Sequence, residues 1–156
     1  MASTSMPKSS LKIGVKVALN SLVSRLQRDY PEFHFVYGKR FSFRPPKTIV
    51  IGPDEGKNTP LLVFHELGHA ISGEYSYALS IERLKIESLA WQEGKKAYQN
   101  YQDLALPAWD DSFVEDNLDT YRNWLHQKSK CPSCGLTRYQ DANQKWCCPY
   151  CRQFKN

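Results

Sequence analysis

The sequence predicts an α+β protein: helices packed on a small antiparallel sheet, followed by a compact cysteine-rich module. Three observations predict it. Apolar residues recur at helical spacing in several long segments. Three short runs between residues 33 and 51 alternate or are β-branched in the manner of strands. All five cysteines, Cys131, Cys134, Cys147, Cys148 and Cys151, lie in the last 26 of 156 residues. That length suits one domain plus a small accessory module.

Residues 1–10 are rich in Ser and Thr, lack an apolar core and read as a flexible tail rather than a secretory signal. From Leu11 to Asp29, Ile13, Val17, Leu19, Leu22, Val23 and Leu26 mark a helix, which Tyr30-Pro31 ends. Phe33–Tyr37, Phe41–Phe43 and Thr48–Ile51 read as strands, with a turn at Gly38-Lys39 and breaks at Pro45-Pro46 and Gly52-Pro53. Thr59-Pro60 reads as N-cap and first position of the next helix, which Gly73 closes. Ser80 caps a helix running to about Gln102. Another follows from Ser112 to His126, with Phe113, Leu118, Tyr121, Trp124 and Leu125 as its apolar stripe. The domain thus spans residues 11–127, and the cysteine module spans 128–156.

Charge is uneven. Residues 1–47 hold nine Lys/Arg against two acids, a net of +7, and residues 128–156 hold six against one, a net of +5. The middle, residues 48–127, holds six against thirteen, a net of −7. Basic ends can bind phosphate backbones, which raises weak nucleic-acid binding as an expectation, although the same charges also serve solubility. No segment approaches the roughly 20 apolar residues of a membrane span. An odd number of clustered cysteines argues for metal binding in a reducing, cytoplasmic compartment.

His65-Glu66-Leu67-Gly68-His69 is an HExxH pattern inside a predicted helix. Residues i and i+4 share one helix face, so both imidazoles can meet one metal ion. Zinc is the ion such nitrogen ligands suit. Glu66 can then act as general base on a water whose pKa the metal lowers. Zinc needs a third protein ligand if water is to keep the fourth position. The stretch Ala70–Tyr75 has no histidine, and His34 and His126 lie far off in sequence. On the following helix are Glu82, Glu87 and Glu93. Glu87 alone shares a face with Leu84, Ala90, Trp91, Gly94, Tyr98 and Tyr101. A carboxylate on so apolar a face needs a partner. Glu87 is therefore the candidate third ligand, the alternative being a pair with Arg83. Tyr75, Tyr77, Tyr98 and Tyr101 are candidates for an oxyanion donor, and each serves equally as packing.

Cys131-Pro132-Ser133-Cys134 and Cys148-Pro149-Tyr150-Cys151 are two CPxC turns separated by 13 residues. Four thiolates so spaced make a closed, structural zinc site, a zinc ribbon. Cys147 is surplus and reads as a free thiol. The full expectation is two zinc ions, one catalytic and one structural.

From about Leu11 to His126, the order helix, small sheet, HExxH helix and Glu-bearing helix resembles the minimal zincin core of the gluzincin type. Within it, Glu87-Ser88-Leu89-Ala90-Trp91 resembles the second-helix segment of the ImmA/IrrE-like metallopeptidases. The resemblance implies cleavage of peptide bonds in a polypeptide substrate, with His65, His69 and Glu87 as ligands and Glu66 as base. In layout alone, such a domain followed by a zinc ribbon is similar to the SprT-like family, which implies proximity to nucleic acid. A competing expectation is a nucleic-acid- or protein-binding module in which both zincs are structural.

Overall fold

In the computed structural model, which describes residues 8–53 and 56–153, the protein is a mixed α+β chain. It divides into two compact units. One comprises the residues up to Glu74 together with Leu89–Asp110, the other Tyr75–Ser88 together with the chain from Asp111 onward.

In the first unit, α1 (Lys8–Asp29) presents Leu19, Leu22, Val23 and Leu26 to the core, the i, i+3, i+4, i+7 set of an amphipathic helix. The tail expected at residues 1–10 falls outside the described residues, except that α1 already begins at Lys8. The helix stops where Pro31 follows Tyr30, whose amide makes a last helical bond to the Leu26 carbonyl at 2.8 Å.

The three expected strands are present as β1 (His34–Tyr37), β2 (Ser42–Arg44) and β3 (Thr48–Ile51), but the sheet is not wholly antiparallel. Its order is β1-β3-β2, with β3 antiparallel to β2 and parallel to β1. Burial explains the order. Ile49, Val50 and Ile51 are all buried, as a strand covered on both faces must be, so β3 takes the centre. In β1 only Phe35 is buried, which suits an edge. Gly38 and Gly52 border this arrangement: a Cβ on Gly52 would lie 2.7 Å from the Phe41 amide nitrogen.

Helix α2 (Thr59–Ser72) packs Val63, Phe64 and Leu67 into the same core. Its N-cap is Asn58 and not Thr59, because the Asn58 carbonyl already accepts from the Leu61 and Leu62 amides. Gly73 closes the helix at φ 66°, a left-handed position that glycine adopts without strain. Helix α3 (Ser80–Tyr98) gives way at Gln99–Leu104 to 3₁₀ turns, short of the helix end expected at Gln102. The break at Tyr101 (φ −121°) turns that ring into the core, where its hydroxyl donates to Asp29 at 3.0 Å.

In the second unit the start of α3 is held by the Glu82 side chain. The Glu82 carboxylate accepts from the Ala78 and Leu79 amides at 2.8 and 2.9 Å, and these bonds lower its pKa. Helix α4 (Asp111–Ser129) buries Val114 and Leu118. The cysteine module follows: β4 (Tyr139–Gln140) pairs antiparallel with β5 (Trp146–Cys147), and α5 (Pro149–Gln153) ends it. The Gln140 side chain accepts from the Ser80 amide at 2.6 Å, tying the hairpin to the α3 N-terminus. Among the described residues no helix is long and apolar enough to cross a membrane.

Candidate metal centres

The first centre rests on how closely α2 and α3 cross. At Gly68 the α2 backbone lies against the α3 backbone. A Cβ there would collide with the Ala90 carbonyl and lie 2.9 Å from the Gly94 nitrogen. Gly94 is the reciprocal contact, since its Cβ would lie 2.9 Å from the Phe64 carbonyl carbon. Two glycines thus let the helices meet backbone to backbone, and the side chains flanking the crossing are drawn together.

His65 and His69, one turn apart on α2, present rings whose centroids are 4.6 Å apart. The Trp91 indole stacks on His65 at 4.2 Å between centroids and 29° between planes. A buried ring on one face restricts the imidazole to few orientations. Glu87 lies one turn before Trp91 on the same unbroken helix, hence on the same face. His65, His69 and Glu87 each offer one ligand atom, and these atoms all lie within 4.8 Å of one another. His65, Glu66 and Glu87 are buried at 7–8% exposure.

The donor set is chemically apt for a metal ion. Two imidazole nitrogens and one carboxylate oxygen form a three-ligand set that leaves a tetrahedral ion one open position. Desolvating a carboxylate beside two imidazoles is costly without a cation, and a dication offsets that cost. The group could therefore hold a metal ion.

Other candidates fall elsewhere. His34 and His126 are exposed on β1 and α4. The Arg83 guanidinium lies over the Tyr121 and Trp124 rings. Tyr98 and Tyr101 are core residues whose hydroxyls donate to the Pro107 carbonyl and to Asp29. Burial and the Asp29 charge raise the Tyr101 pKa further. Neither phenol is placed to serve as an oxyanion donor. Tyr75 and Tyr77, in the loop after α2, are about half exposed at 49% and 45%. Trp91 and Gly94 were legible as members of the apolar face around Glu87, but nothing in one sequence marks a stacking partner.

The second centre is the cysteine cluster. The ligand atoms of Cys131, Cys134, Cys148 and Cys151 lie within 4.8 Å of one another. Sulfur pairs Cys131–Cys151 and Cys134–Cys148 are 3.7 and 3.6 Å apart. The knuckle closes as the Gly135 amide bonds to the Cys131 carbonyl at 2.8 Å, with Gly135 at φ 73°. The Cys134 and Ser133 amides point at the first thiol and lower the Cys131 pKa to about 6. Crowding by neighbouring sulfurs raises the Cys151 pKa. Four thiols this close cannot all ionise together unless a cation sits among them, which is the environment a tetrathiolate metal site supplies. The cluster could form a zinc ribbon. Cys147 lies outside it, its thiol 3.6 Å from an Asp141 carboxylate oxygen.

If the two groups bind metal independently, Cys131→Ser with Cys134→Ser should remove one ion per chain and loosen only the hairpin and α5. Elemental analysis of the purified variant reads this directly, and a single ion in folded wild-type protein sinks it. Glu87→Ala should weaken retention of the other ion. Glu82→Ala should not, because Glu82 is spent on the α3 cap; it should lower thermal stability alone.

A scan against protein-family models gave no match, and neither a search of curated proteins nor one of solved structures gave any.

Proposed function

We propose that the chain is a zinc-dependent peptidase of the gluzincin type, ImmA/IrrE-like in its catalytic part, whose cysteine cluster holds a second, structural zinc. One observation carries the reading: the HExxH histidines and Glu87 bring three ligand atoms within 4.8 Å in a buried setting. A structural tetrathiolate site needs no such open three-ligand set, whereas hydrolysis does.

His65, His69 and Glu87 would hold the ion. Once bound, zinc would supply a lowered water pKa and polarisation of the scissile carbonyl. Glu66 follows a ligand without being needed as one. Its carboxylate takes the proton of the attacking water and later passes it to the leaving amine. Trp91 fixes the His65 ring, so the donor geometry is set before substrate arrives. Incubation of the fully metallated chain with an unfolded polypeptide, followed by mass analysis of fragments and of the chain itself, tests the reading. Two bound zincs with no cleavage of either would refute it.

A second activity has its own observation. The ribbon region carries exposed Lys128, Lys130 and Lys145 beside Tyr139 and Tyr150, which are 47% and 51% exposed. Cations interleaved with exposed rings suit a single-stranded nucleic acid, through phosphate contacts and base stacking. Weak, sequence-independent binding that falls steeply as salt rises is expected in a fluorescence-anisotropy titration. Absence of binding at low salt to both DNA and RNA removes the idea.

A further inference from the structure

Arg83 and Glu87 are four residues apart on α3, the spacing at which opposite charges on a helix meet. An arginine is the partner best able to engage a carboxylate with two parallel hydrogen bonds. Such a pair would compete with a metal ion for the same two oxygens. Arg83 is instead turned toward α4. Its guanidinium carbon lies 5.2 Å from the Tyr121 ring centroid and 5.1 Å from the Trp124 centroid. Tyr121 and Trp124 are three residues apart, so they sit side by side on one face of α4 and offer two rings to one cation. The Lys128 ammonium lies 4.7 Å from the Trp124 ring as well, so that ring meets two cations.

We infer that Tyr121 and Trp124 form a clamp that diverts Arg83 from Glu87 and so keeps the Glu87 carboxylate available to the metal ion. The inference rests on the reading of Glu87 as a ligand. Arg83, Tyr121 and Trp124 are positioning residues: none of them touches the metal or the reacting atoms. The chemistry of the arrangement is a partition of one guanidinium between two aromatic faces and one carboxylate. Removing the faces leaves the Glu87 carboxylate, four residues on along the same helix, as the competing partner.

The test uses the full chain and Co²⁺ as probe, because thiolate and imidazole–carboxylate ligation absorb differently and the cysteine cluster then serves as internal reference. Tyr121→Leu with Trp124→Leu keeps apolar bulk on α4 while removing both rings. Its affinity for Co²⁺ at the His/Glu centre should fall on the order of tenfold, the scale of one charge-assisted pair. Adding Arg83→Met to the same chain should restore wild-type affinity, whereas Arg83→Met by itself should leave affinity unchanged. The Cys₄ signal should not move in any of them. Should the double variant not fold, Trp124→Leu with and without Arg83→Met provides the same comparison with a smaller shift.

A clamp variant that binds Co²⁺ like wild type overturns the inference. So does a weakening that Arg83→Met does not rescue, because the rings would then merely support the fold. Glu87→Gln separates the two levels. If it leaves Co²⁺ binding intact, Glu87 is not a ligand and the clamp has nothing to protect. If it weakens binding while the clamp variants do not, the ligand stands and the clamp alone falls.

Discussion

On the proposed peptidase reading, Glu66→Gln should fold, retain both metal ions and lose peptide hydrolysis by a factor on the order of 10²–10⁴, the usual contribution of a positioned general base. Glutamine keeps the volume and shape of the side chain and removes its basicity. Glu66 is buried at 8% exposure within α2, so an isosteric change is the one least disruptive to packing. The two candidate ligand histidines flank it on the helix and are untouched, which is why metal content should not change. Cleavage fragments measured by mass spectrometry, alongside elemental analysis of the same samples, give the comparison. Hydrolysis that survives the substitution would show that Glu66 is not the base. Loss of metal together with activity would show that the residue matters to the site's structure instead.

The second large effect belongs to a residue with no functional group. Gly68→Ala should destabilise the first unit by about 3 kcal/mol or more and abolish metal binding at the His/Glu centre, while the cysteine cluster keeps its ion. Two effects oppose each other. Alanine is the better helix former, by about 1 kcal/mol in an exposed helix interior. The new methyl, however, would collide with the Ala90 carbonyl and stand 2.7 Å from its carbon. These are backbone atoms of another helix, which cannot rotate aside as a flexible side chain would. Relief requires α2 and α3 to move apart, and separation at Gly68 pulls the crossing open beside the ligands. The steric term should therefore win. Gly73→Ala is the control: nothing lies within 4 Å of its added Cβ, so it should cost only the modest strain of a left-handed alanine at φ 66°. Thermal melts and metal content of the two variants decide the matter. A Gly68→Ala protein that melts with the wild type and holds both ions would show that the crossing is not needed to hold the centre.

The candidate ligands were largely legible from local chemistry. HExxH places its histidines by helical periodicity alone, and CPxC turns place thiols by local backbone geometry. Both act within a few residues and need no knowledge of the fold. Glu87 was singled out by the same periodicity, as the one glutamate of its helix on an apolar and aromatic face. Helix boundaries were legible where a side chain or proline acts locally, as at Pro31 and Gly73. They were displaced where a distant partner decides, as at Tyr101, whose hydroxyl bonds to Asp29 and whose ring packs against Phe64 at 5.4 Å between centroids.

The residues by themselves determined the element types, the burial of Leu19, Leu22, Val23 and Leu26, and the two candidate ligand sets. Tertiary structure alone decided strand order, because which strand is central depends on what covers both faces of Ile49–Ile51. It also decided where Arg83 goes. At four residues' spacing Glu87 and the rings of α4 are both within reach of that side chain, and only the packing of α4 settles the competition. Likewise, Gly68 and Gly94 are weak helix formers until the helices are brought together. Only in the packed chain does the lack of a Cβ become the contact that lets the two helix backbones meet.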